Sequence, residues 1–148
     1  MMLYSILQNL HSLWAYFVLF ILVYTIVNTW LGKLGNKDFA AKDLRASLFT
    51  LILAHLQLTI GLIMIFMSPF FAAAQELGMG GVMKDSILRL YLVEHPLTMI
   101  IAVTLITIGF SKHKKKTTAG EKFKTIGVFY SIALVLILSR LPWSAWLG

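Results

Sequence analysis

The chain has 148 residues, 59% of them hydrophobic and 13% charged, with no cysteine and a net charge of +7. Its mean hydropathy is +0.83, more apolar surface than a water-soluble domain of this size can bury. Without cysteine there is no disulfide, no thiolate metal centre and no covalent haem attachment through CxxCH.

In chain order, four apolar runs are long enough to cross a bilayer, which takes about 20 helical residues. They are expected at about 10–31 (with a start as early as Leu3), 45–68, 87–111 and 123–141. Spanning backbone must satisfy its own polar groups, so these read as helices, and strands of a membrane barrel would be shorter and would alternate. The start, MMLYSILQNLHSLW, carries neither the basic region nor the small-residue cleavage site of a secretory leader, so the first run is expected to remain as a span. The first connection, with GNKD, reads as a turn. The second, SPFFAAAQELGMGGVMKDS, reads as a long outer loop. In it Pro69 marks a helix end, AAAQEL forms a short interfacial helix, GMGG is a flexible stretch, and Asp85-Ser86 caps the next span. The third connection, with TTAGEK, again reads as a turn. In the closing PWSAWLG, Trp143 and Trp146 suit an outer aromatic belt. Gly61, Ala102, Gly109, Gly127 and Ala133 allow close helix approach.

The positive charge has a pattern. Of thirteen basic residues, ten lie in the first and third connections: Lys33, Lys37, Lys42, Arg45, Lys112, Lys114, Lys115, Lys116, Lys122 and Lys124. Both connections fall on one side of an antiparallel bundle, so this is the positive-inside signature of a bacterial inner (cytoplasmic) membrane protein, multi-pass, with both termini on the outer, periplasmic side. The charge is thereby assigned to topology and to membrane lipid, with KHKKK touching anionic headgroups, and not to nucleic acid. The expected architecture is all-α: residues 1–148 as a single up-down four-helix transmembrane bundle.

Ionisable residues inside spans are costly and mark candidate sites. Here they are His11, His55, Glu94, His95 and Arg140, while His113 belongs with the solvated basic connection. Counting helical rise from the inner basic residues puts His95 about 25 Å, Arg140 about 24 Å and His11 about 33 Å above the inner face, and His55 only about 15 Å. His11, His95 and Arg140 therefore share an outer layer. Two imidazoles at one depth on parallel helices are what a six-coordinate haem b requires, with His11 and His95 as iron ligands. His55 is an alternative partner of His95, a ligand of a second cofactor or an accessory residue forming a polar site with Gln57, which lies two residues away and so on another face. Arg140 is at the height of a haem propionate. Glu94 pairs with Arg140, orients an imidazole or moves protons. Pro96 should remove the backbone bond to Leu92 and bend the third span beside His95. No HExxH or paired-carboxylate pattern marks another metal site.

The stretches LHSLWAYFVLFILV, AHLQLTIGLIMIF, EHPLTMIIAVTLITIGFSKHKK and ILSRLPW resemble a family of short bacterial four-helix membrane proteins labelled b-type cytochromes. LHSLWAYFVL and EHPLTMIIAV are also similar, more loosely, to segments in one half of haem A synthase. In that family histidines near the outer ends of two helices bind haem, one beside a glutamate. The likeness implies His11 and His95 as the pair. The chain has one half only and no cysteine-bearing outer loop, so oxygenase activity on haem is not implied.

Two readings follow. In the first, the chain is a membrane b-type cytochrome with one bis-histidine haem, a haem-dependent oxidoreductase drawing electrons from quinol, with quinone as a second cofactor. In the second, it is a non-catalytic accessory or assembly subunit of a larger respiratory or translocation complex in the membrane, or a homo-oligomer. A proton conduit through Glu94, His55 and His95 is the third, and four helices leave it little room.

Overall fold

The computed structural model describes residues 2–147, which form helices and short turns with no strand among them. Six helices follow in order: α1 (Met2–Leu34), α2 (Ala41–Met67), α3 (Pro69–Lys84), α4 (Ser86–His113), α5 (Ala119–Ser139) and the short α6 (Trp143–Leu147). α1, α2, α4 and α5 are long and apolar enough to cross a membrane. They pack as a ring, α1 against α2 and α5, and α4 against α2 and α5. Large apolar side chains such as Phe20, Phe66 and Val135 point outward and are 72%, 70% and 66% exposed, the arrangement that lipid contact requires.

Local chemistry explains the helix ends. α1 reaches well before residue 10, because LYSILQNLHS contains no breaker and its polar side chains do not interrupt the helical ladder. His11 is therefore held within a long helix and not at its start. At the α2 start, Asp43 accepts from the Ala40 N–H at 2.8 Å and from Asn28 Nδ2 at 2.7 Å, which permits its burial. Thr118 caps α5 by accepting from the Glu121 N–H.

The second connection departs from the expected loop. α2 ends at Met67, just before Pro69 as expected, but Ser68 also accepts from the Phe70 N–H at 3.0 Å and Pro69 takes the first position of a new helix. That helix, α3, breaks at Gly78 (φ 74°, ψ 173°), a conformation that side chains disfavour. Asp85 then accepts from the N–H groups of Ile87 and Leu88, capping α4 as its sequence implies. His113 also differs from expectation. It is 1% exposed, with its ring 5.4 Å from that of Phe39 and 4.8 Å from that of Phe110. α4 runs on to this residue, and the first connection folds Phe39 over it.

Buried polar bonds tie together the half of the bundle next to the lysine-rich connections. Thr25 and Thr50 hydroxyls meet at 2.9 Å between α1 and α2, and the Tyr130 hydroxyl donates to the Ser47 carbonyl at 2.9 Å, linking α5 to α2. Leu22, Ile106, Ile126 and Ala133 fill the space around them. In an apolar surround such bonds replace water that is absent, so they select one helix register. Close approach of α4 to α5 depends on Gly109: a Cβ there would lie 2.5 Å from the Phe129 Cβ. Gly127 likewise receives the Trp30 indole.

Candidate functional site

The half of the bundle away from the lysine-rich connections holds a cavity of about 540 Å³ lined from all five longer helices and the chain end beyond α5. Both His11 and His95 line it. Their ring centroids are 6.4 Å apart and their planes are inclined at 76°.

Each imidazole is positioned by a different device. Before His95, residues Leu90–Glu94 form a π-helical turn, in which the His95 N–H bonds to the Leu90 carbonyl. Pro96 offers no N–H of its own, and the preceding turn widens by one residue rather than simply losing the bond to Leu92. One extra residue rotates the upstream face by about 100°. His95 Nδ1–H donates to the Arg140 carbonyl at 2.7 Å. That carbonyl is freed because Arg140 caps the end of α5. A proton held on Nδ1 leaves Nε2 as the nitrogen with a lone pair.

His11 is seated against Gly61 of α2. A Cβ at that position would lie 3.0 Å from His11 Cε1, so any larger residue presses on the ring. Gln57, one turn earlier on the same face, donates to the His11 backbone carbonyl at 2.8 Å. His11 Nδ1 and Gln57 Oε1 are buried without a hydrogen-bond partner among the described residues. Trp146 of α6 closes another wall, stacking on Tyr16 at 4.8 Å. It packs against the bundle, because Pro142 and the turn after α5 fold the chain end back over α1.

The other sequence candidates lie around or away from this pair. Glu94 is at the rim, with Arg89 Nε at 2.9 Å and Arg140 Nε at 3.9 Å. Its expected partner Arg140 is thus the farther one, and Arg89, held also by the Met83 carbonyl, is the nearer. Arg140 serves His95 through its backbone, while its side chain is 46% exposed. His55 is not in the cavity. Its Nδ1 pairs with the Leu51 carbonyl at 2.7 Å and its Nε2 lies 3.4 Å from Thr107 Oγ1, on an exposed face between α2 and α4. This separates His55 from His95 and from the cavity that holds the other two imidazoles.

Gly61, Arg89 and Trp146 were not singled out by sequence reasoning as site residues, and Gln57 was considered only beside His55, not beside His11. A signal existed for two of them: Ala54, Gln57, Leu58, Gly61 and Ile65 follow the i, i+3, i+4 spacing of one helix face. The Arg140 carbonyl has no sequence signal at all, because any residue carries one.

The donor set is two imidazoles. No group of three or more His, Cys, Asp or Glu among the described residues could hold a bare metal ion. A haem brings four of its six iron ligands with it and needs only two more. Metal–imidazole bonds of about 2 Å place two rings across one metal about 6 Å apart, centroid to centroid, and the 6.4 Å pair fits that separation. Filling the Gly61 seat tests the arrangement. If the two imidazoles hold a haem, a Gly61→Val chain should keep its helicity by circular dichroism but lose about tenfold in haem affinity, comparable to loss of an outer-sphere support. No family model, curated protein or solved structure matches the chain.

Proposed function

We propose that this protein is an electron-transferring b-type cytochrome of the bacterial inner membrane, holding one haem b between His11 and His95. The carrying observation is the pair of imidazoles 6.4 Å apart inside a cavity of about 540 Å³. That volume falls in the range of cofactor and ligand sites, about 300–1,000 Å³. In this reading the helices run up and down with both termini on the periplasmic side, which the distribution of lysines supports.

Bound by two histidines, haem b supplies a one-electron iron couple with no open coordination position, which favours electron transfer over oxygen chemistry. The chain's own contribution is positional and electrostatic. The Arg140 carbonyl holds the His95 tautomer, and Gly61 and Gln57 seat His11. Glu94 faces two guanidiniums, Arg89 and Arg140, so the rim keeps net positive charge for the carboxylates of a haem edge. A lipid-soluble quinol is the donor class that reaches a cofactor at this depth.

The test is an oxidised-against-reduced visible spectrum of the detergent-purified protein, with haem counted as the pyridine haemochrome. A sharp b-type α band at about one haem per chain supports the proposal. Protein free of haem, from cells amply supplied with it, overturns the proposal and favours the accessory-subunit reading.

A further inference from the structure

A second feature lies at the opposite end of the bundle and is independent of the haem reading. Between the inner ends of α4 and α5 is an open groove of about 400 Å³. Lys112, Lys116 and Lys124 border it, with Glu121 as the one acidic residue, and Val128 and Phe129 form its floor. None of the three lysines is in an ion pair among the described residues, whose acid–base pairs involve Asp43 and Glu94. Lys112 Nζ stands 5.7 Å from the centre of the Phe129 ring, which holds one charge above the apolar floor. The neighbouring lysines are directed elsewhere: Lys114 lies over Phe110, and Lys122 lies over Phe39.

From this basic end an apolar track continues toward the membrane centre. Ile108 is one helical turn from Lys112, and Ile132 is one turn from Val128, so each shares a face with its groove residue. Ile108 is 37% and Ile132 47% exposed, and Val135 continues the α5 side. We propose that this groove binds an anionic phospholipid, the headgroup phosphate among Lys112, Lys116 and Lys124 and an acyl chain along the track. Three cations against one carboxylate select negative charge. The apolar continuation selects a ligand that carries hydrocarbon beside its phosphate, which a soluble anion or a nucleic acid does not. Basic grooves between transmembrane helices on the positive side are suited to such headgroups.

The test titrates the detergent-purified full chain with phosphatidylglycerol and, separately, phosphatidylcholine, reading the first bound lipid by native mass spectrometry. Lys112→Gln and Lys124→Gln should each weaken phosphatidylglycerol binding about fivefold, with phosphatidylcholine unaffected. Lys112→Arg, which keeps the charge, should retain binding. Val128→Trp, which fills the floor and leaves every charge in place, should weaken it. A Lys37→Gln/Arg45→Gln chain removes two exposed basic residues of the first connection and should bind as the parent does. Three results would overturn the site: equal loss in that control chain, which means a diffuse surface field; equal binding of the two lipids; or displacement of the lipid by inorganic phosphate at matched concentration, which means a soluble-anion site.

Discussion

If His11 and His95 hold a haem as proposed, the His95→Ala chain purified from cells well supplied with haem should retain less than about a tenth of the parent's haem. Loss of an outer-sphere contact already costs about 10–100-fold in affinity, and removal of one of two axial ligands costs at least as much. The substitution also strands the Arg140 carbonyl, which now receives the His95 Nδ1–H at 2.7 Å. His11→Ala should behave alike. His55→Ala should keep its haem, because His55 is bonded to Leu51 and Thr107 on another face. Haem counts per chain from the three purified variants check the set. Normal haem content in His95→Ala would remove the ligand assignment, and loss in His55→Ala would move it to another pair.

The largest expected effect on stability comes from Gly109→Val. The first added carbon meets the Cβ of Phe129 at 2.5 Å, and a Cβ cannot rotate away. Relief requires α4 and α5 to separate, which also unseats the packing of Ile106 and Ile126 in the core. Overpacking of this kind costs about 1–3 kcal/mol, and a contact against atoms fixed to the backbone belongs at the upper end. Gly80→Ala is the internal comparison: nothing lies within 4 Å of its added carbon, and helix propensity favours alanine by about 1 kcal/mol. Unfolding of both variants in mixed micelles reads the contrast, and equal stabilities would show that the α4–α5 contact is not as close as described.

The four long helices were legible because lipid removes choices. A run such as 45–68 is too apolar for water and too long for a strand, and its backbone must close its own hydrogen bonds. The Asp85 cap was legible for a related reason: its side chain acts on N–H groups two and three residues away, a local event. Pro69 was legible as the end of α2 but not as the start of α3, because proline signals a boundary without giving its sense. Ser68 immediately before it, a good cap, turns that boundary into a start.

The candidate site was less evenly legible. The depths of His11 and His95 follow from helical rise, a quantity each helix carries by itself, and the two rings are neighbours. Helical rise already set His55 lower than the other two, and the structure adds that its rotation about α2 turns it toward Thr107 and away from the cavity. The partners of the site come from packing. Gln57 and Gly61 meet His11 because α2 lies against α1, and Arg89 reaches Glu94 because a π-helical turn intervenes.

By itself, then, the sequence determined that this is a chain of four apolar helices, where their polar residues lie in depth, and which connections carry the lysines. These are properties of composition and of one-dimensional rise. The tertiary structure decided which way each side chain faces, that a backbone carbonyl at Arg140 orients His95, and that Trp146 closes the cavity. The reason is physical: helix rotation and close approach are set by packing between segments far apart in the chain, and no local pattern encodes the partner.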